Sequence, residues 1–221
     1  MGLSPQRRLV RAYEKDPETA QRWREEEYPK IAAAAKKARA RIFFCDEAGV
    51  RTDKAGVRTD HHAGTTWGEV GRTPVARGTG QRRSLNMISA ISPLGELHFT
   101  FAGRVSSDSF IEYLKRLLDD VPGKILLVLD GRSAHSSTKT KEFVASTKGR
   151  LSLFYLPPCS PELDPDGWVW HNLKHDPVAK MAARSLEETK AGIEKAVARL
   201  QGRREIVLGF LRSPDLGHIK A

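Results

Sequence analysis

Five short apolar runs constrain this chain more than any other feature. Residues 41–45, 85–92, 97–101, 124–129 and 151–156 are rich in Ile, Leu, Val and Phe and have strand length. Ser92-Pro93-Leu94-Gly95 between the second and third reads as a hairpin turn. Residues 106–119 then carry Phe110, Tyr113, Leu114, Leu117 and Leu118 on one side of a helix, and Val121-Pro122-Gly123 stops it. A further helical stretch covers 137–146. The proline-rich turn Pro157-Pro158-Cys159-Ser160-Pro161 leads into a helix through Trp168, Trp170 and Leu173, and helices near 185–200 and 205–211 close the sequence. The order is three strands, helix, strand, helix, strand, helix. It predicts an α/β fold with a mixed five-stranded sheet flanked by helices: an antiparallel meander first, then strands added by helical crossovers.

Residues 1–40 read as a helical linker of two helices. Ser4-Pro5 and Asp16-Pro17 each set a capping residue before a proline. Trp23, Ile31 and Ala35 fall at roughly helical spacing, with Tyr28 near the same stripe. The domain reading is 1–40 linker, 41–180 sheet-bearing domain, and 181–221 a helical extension of that domain. A tandem repeat, Ala48-Gly49-Val50-Arg51-Thr52-Asp53-Lys54 followed by Ala55-Gly56-Val57-Arg58-Thr59-Asp60, lies in a Gly-, Thr- and Arg-rich stretch expected to be a loop as far as Arg83. It reads as a duplication with no packing role, which a surface loop tolerates at modest entropic cost.

Charge narrows the partners. The 221 residues hold 37 Lys and Arg against 27 Asp and Glu, a formal net charge of +10. Such a balance points to a polyanion, with nucleic acid first, against the plainer reading of excess surface lysine. Arg72, Arg77, Arg82 and Arg83 stand in a Gly-rich stretch near Trp67, which suits either a DNA-contacting hairpin or a solvated loop. Cys45 and Cys159 have no CxxC spacing, so neither a zinc ribbon nor a disulfide framework is expected, and reduced cytoplasmic thiols are the simplest reading. His61-His62 and His98 lack a second cluster at metal-ligand spacing. No apolar run has transmembrane length, so no membrane partner is expected.

Asp46 and Asp130 each stand at the carboxyl end of an apolar run, the sheet edge where open α/β folds bind ligands. Carboxylates from neighbouring strands can jointly hold Mg²⁺, which prefers oxygen ligands, and a metal pair clamps the attacking and leaving oxygens of a phosphoryl displacement. A lone aspartate there is more simply a turn former. His135, five residues beyond Asp130, has a structural or a substrate-positioning role. Trp168 and Trp170 are expected in the core.

Three blocks carry a resemblance. Phe43-Phe44-Cys45-Asp46-Glu47-Ala48-Gly49, Leu127-Val128-Leu129-Asp130-Gly131 with Ser133-Ala134-His135, and Leu156-Pro157-Pro158-Cys159-Ser160-Pro161-Glu162-Leu163 with Trp168-Val169-Trp170-His171-Asn172-Leu173-Lys174 resemble the signature blocks of DDE transposases of bacterial insertion sequences related to mariner elements. The resemblance runs over nearly the whole chain. It implies a ribonuclease H-like catalytic domain, Mg²⁺ or Mn²⁺ in a two-metal site, DNA strand cleavage at element ends and strand transfer to target DNA. It also implies DNA as partner, a homodimer as a possible assembly, and a cytoplasmic, nucleoid-associated location. Asp46 matches the first carboxylate of the family's triad and Asp130 the second, both as metal ligands. The family's helix-turn-helix modules have no counterpart in this sequence.

The third carboxylate departs from the pattern. The family's Glu position before the Trp-x-Trp is Gly167, in Asp164-Pro165-Asp166-Gly167-Trp168. Asp166, one residue early, is the stand-in on the expected catalytic list of Asp46, Asp130 and Asp166, although one helical residue rotates it by about 100°. Asp164 and Glu162 are further candidates. Arg132 replaces a frequent His beside the second carboxylate, and the duplication begins two residues after Asp46. These departures imply impaired catalysis, with a non-catalytic DNA-binding or dimerising remnant as the alternative. A ribonuclease H-like nuclease acting on RNA–DNA hybrids or junctions is a third reading, disfavoured by the proline turn and Trp-x-Trp block.

Overall fold

The structure, a computed structural model, describes residues 16–53, 56–58, 83–175 and 185–219. Helices α1 (Pro17–Arg22) and α2 (Tyr28–Ala38) run on through a π-helical turn, Trp23–Glu27. Asp16 caps α1, its side chain accepting the N–H groups of Glu18 and Thr19. Tyr28 stands five positions after Trp23, a spacing that an α-helix would turn to different faces. The π turn absorbs the extra residue, with the Tyr28 N–H donating to the Trp23 carbonyl. Pro29, which has no N–H to give, follows directly. Trp23, Tyr28, Ile31 and Ala35 are all buried as a result.

The sheet has the order β4-β3-β1-β5-β6. Its strands are β1 (Arg41–Asp53), β3 (Arg83–Ile91), β4 (Leu97–Ala102), β5 (Ile125–Leu129) and β6 (Leu151–Tyr155), with a short β2 (Gly56–Arg58) paired to the far end of β1. The β1–β3 and β3–β4 pairs are antiparallel, and β1–β5 and β5–β6 are parallel. This is the mixed sheet expected, a five-strand path with one additional short strand. In the β3–β4 turn Gly95 takes φ +79° and Ser92 Oγ accepts the N–H groups of Leu94 and Glu96.

The tandem repeat corrects an expectation. β1 continues past Asp46 to Asp53, and β2 folds back on it with Arg51 opposite Arg58, Thr52 opposite Val57 and Asp53 opposite Gly56. The two arginines hold the same place in their copies. Gly56-Val57-Arg58 of the second copy thus gives Arg51-Thr52-Asp53 of the first a partner for its backbone.

Two helical layers cover the sheet. α3 (Ser107–Asp120), α4 (Ser133–Ser136) and α5 (Thr138–Ser146) lie on one side, where Phe43, Cys45, Ile88, Leu127 and Leu129 meet Phe110, Tyr113, Leu114 and Leu117. α6 (Asp166–His175), α7 (Leu186–Gln201) and α8 (Arg204–Phe210) join residues of α1 and α2 on the other. There Met87, Ile91 and Leu97 pack with Val169, Trp170, Ile193 and Val197, while Phe44 and Val128 pack with Trp23, Tyr28 and Ile31. Alternation therefore sends Phe43 and Cys45 to the α3 layer and Phe44 to the other. Trp170 is buried as expected, but Trp168 is 43% exposed.

Candidate active site

Strand register places the first two acids. Phe44 is paired with Val128 and Cys45 with Leu129, so Asp46 and Asp130 directly follow two paired residues on adjacent parallel strands. Phe44 and Val128 share one hydrophobic cluster, and a period of two carries Asp46 and Asp130 toward that same side. Both line one cleft of about 550 Å³. Gly131, Arg132, the turn from Leu156 to Pro161, Asp164 and Gly167 complete its wall.

Asp166 does not join them. Its side chain is fully buried. Oδ2 accepts the Ser89 hydroxyl at 2.5 Å and the Asp46 N–H at 3.1 Å. Ser89 is the residue opposite Asp46 in the β1–β3 ladder, so Asp166 is turned down onto the sheet beneath the cleft. One helical step of about 100° separates it from Gly167 on the cleft wall. Asp164 lines the cleft instead, and its Oδ1 accepts the Asp166 N–H at 2.9 Å. At Gly167 an added Cβ meets nothing within 4 Å.

Beneath the cleft lies an ion network that includes Glu47, a residue to which the sequence reading gave no role. Glu47, buried on the α3 side, accepts from Arg132 at 3.0 Å and contacts His135 Nε2 at 2.6 Å. Asp130 is held on both oxygens, by Arg132 Nε at 2.7 Å and His135 Nδ1 at 2.8 Å. Alternation was the available signal for Glu47, since Phe43, Cys45 and Glu47 fall on one face of β1. Its pairing across to Arg132 and His135 could not be read from spacing.

Electrostatics follow from these partners. Burial is the main force on Asp46 and raises its pKa to about 6, partly opposed by the Glu47 N–H and the Arg132 charge. Burial also pushes Asp164 and Asp166 well above the usual carboxylate range, Asp164 further through its acidic neighbours Asp46 and Asp166. Asp130 resists the same desolvation because His135 and Arg132 donate to it, and its pKa is lowered. In His135, hydrogen bonds to Asp130 and Glu47 overcome burial and lift the pKa to about 9.

The remaining expected residues are quickly placed. Arg72, Arg77, Arg82, His61 and His62 lie outside the described residues, as does the side chain of Arg83. His98 contacts Asp120 at 3.5 Å and stands edge-on to Phe43. Cys45 is buried and Cys159 exposed, both as free thiols. No described helix is long and apolar enough to cross a membrane.

Oxygen donors at Asp46 and Asp130 suit a magnesium-class ion, which accepts one or two carboxylates and fills its shell with water and phosphate. Among the described residues no group of three or more ligating side chains surrounds such a point.

A mixed sheet with acids at the ends of two adjacent strands, one antiparallel side and one parallel, defines a ribonuclease H-like α/β domain. A family model described as DDE superfamily endonuclease matches residues 41–190. The chain belongs to the DDE superfamily endonucleases. Among solved structures, it is similar to a Mos1 transposase paired-end complex with the left transposon end, at 11% identity and a TM-score of 0.61, covering 100% of this chain and 69% of that one. A mariner Mos1 paired-end complex with Mg is similar at 14% identity and 0.61, covering 95% and 67%. The isolated catalytic domain of Mos1 mariner transposase gives 11% and 0.54, covering 91% and 97%. At identities this low the structural likeness shows a shared fold alone. No curated protein matches the sequence.

Proposed function

We propose that the chain is the catalytic domain of a DNA transposase of the mariner-like insertion-sequence type, which cuts and joins DNA strands with Mg²⁺ or Mn²⁺ and is impaired by the loss of its third carboxylate. The observation that carries this reading is the common cleft: Asp46, Asp130 and Gly167 all face it, with carboxylates at the first two and open space at the third. Mos1 complexes with Mg and with Mn among the similar structures support a divalent cation, and the complex with a transposon end supports DNA as partner. The net charge of +10 agrees with a polyanionic substrate. A bacterial host and a cytoplasmic, nucleoid-associated location belong to the same proposal.

In this reading Asp46 and Asp130 hold the ion, which when bound supplies charge stabilisation at the phosphate undergoing displacement. Asp166 acts as a positioning residue by fixing the backbone of Asp46 against β3. The His135–Glu47 pair orients Asp130 from below. Arg132, on the cleft wall, faces the space a phosphate would enter.

A second reading, a non-catalytic DNA-binding remnant, is favoured by the burial of Asp166 and the absence of a carboxylate at Gly167. One experiment separates them. Strand cleavage of supercoiled plasmid and of element-end duplexes is measured with Mn²⁺ for the wild type and for Gly167→Glu. The first reading expects weak cleavage that rises at least about tenfold, about 1.4 kcal/mol, in the variant. Full activity in the wild type would overturn the impairment. No cleavage by either chain would leave the remnant.

A further inference from the structure

The Arg132 guanidinium is held unusually deeply among acids for a side chain that is 53% exposed. Nη1 lies 3.0 Å from Glu47 Oε2, an atom of a side chain only 2% exposed, and Nε lies 2.7 Å from Asp130 Oδ2. The other Asp130 oxygen is bonded by His135 Nδ1 at 2.8 Å. Every oxygen that Asp130 could offer a metal is therefore already engaged, one of them by a permanent cation. Arg132 also borders the cleft that Asp46 and Asp130 share.

We propose that Arg132 is a resident cation of the carboxylate cluster, competing with divalent metal for Asp130 and holding the metal-free site closed until its guanidinium swings out. The inference rests on the reading of Asp46 and Asp130 as metal ligands. The side chain can leave because half of it already faces solvent. Glu47 keeps a partner when it does, since His135 Nε2 stays at 2.6 Å, so no buried carboxylate is stranded. A unit positive charge this close to Asp130 opposes a dication through a partly desolvated medium, which makes a change of an order of magnitude in affinity the expected scale.

The test is Mn²⁺ titration of the full chain, without DNA, read by the electron paramagnetic resonance signal of free Mn²⁺. Wild type, Arg132→Gln and Arg132→Lys are compared after circular dichroism confirms the fold, with Arg132→Met in reserve if the Gln chain does not fold. Loss of the charge should tighten Mn²⁺ binding at least about tenfold, and Arg132→Lys, which keeps the charge but not the fork that spans Glu47 and Asp130, should bind Mn²⁺ less tightly than Arg132→Gln. Equal affinity in wild type and Arg132→Gln overturns the competition. Weaker binding in Arg132→Gln also overturns it, by showing that the guanidinium prepares Asp130 for metal. Failure of every chain to bind Mn²⁺ removes the metal-ligand reading beneath the inference, a result distinct from equal affinities.

Discussion

At the scale of single residues, neighbouring carboxylates are given different tasks by their surroundings. Asp166 is buried, its pKa pushed well up, and its Oδ2 serves only as an acceptor for Ser89 and the Asp46 N–H. Asp166→Asn keeps that acceptor, so its thermal stability should match wild type, whereas Asp166→Ala strands two buried donors and should cost about 1–3 kcal/mol by chemical denaturation. His135 makes a pH-dependent contribution of definite sign. Its pKa rises from 6.5 to about 9 on folding, so its stabilisation is complete below pH 6.5 and lost as pH climbs through 9. The melting temperature of the metal-free chain should fall across that window, and His135→Asn should flatten the fall; an unchanged slope would remove His135 as the cause. The aspartates at strand ends were legible in the sequence because they interrupt apolar runs. The rotation separating Asp166 from Gly167 was legible from helical geometry. The links from Arg132 and His135 to Glu47 were not, because they span 85 and 88 residues and no local pattern encodes a partner so distant.

Elements were read with uneven success, for physical reasons. Strands β3 to β6 stood out as short apolar runs bounded by turn residues, and helix α3 by its one-sided apolar stripe and its Ser106 cap. The hairpin of the tandem repeat escaped notice, since Gly, Thr and Arg look like loop composition and only backbone register shows the copies pairing. The π turn escaped as well: five-residue spacing between Trp23 and Tyr28 breaks helical phase until the extra residue is inserted. The β3–β4 turn was read correctly, and it yields a sharp contrast between two glycines. Gly95 sits at φ +79°, and an added Cβ would come within 2.5 Å of Arg204, while Gly167 has open space. Gly95→Ala should lose about 1–2 kcal/mol or more from the left-handed backbone alone. Gly167→Ala should be within about 0.5 kcal/mol of wild type. Equal losses in urea denaturation would contradict the placement of both.

For the whole molecule, topology rather than composition makes the site. Asp46 and Asp130 are far apart in sequence, yet parallel pairing of β1 and β5 with Cys45 opposite Leu129 sets them side by side. Two helical layers then bury nearly everything around them except the cleft. The charge balance agrees with a polyanionic partner, but the paired strand ends are what would give such a contact a chemistry. The most direct measurement is therefore Mn²⁺ binding by isothermal titration calorimetry to the wild type, Asp46→Asn and Asp130→Asn. The wild type should bind one ion and each variant should lose at least about tenfold in affinity, which is about 1.4 kcal/mol. Binding that persists undiminished in both variants would contradict the assignment of the two aspartates to a common metal.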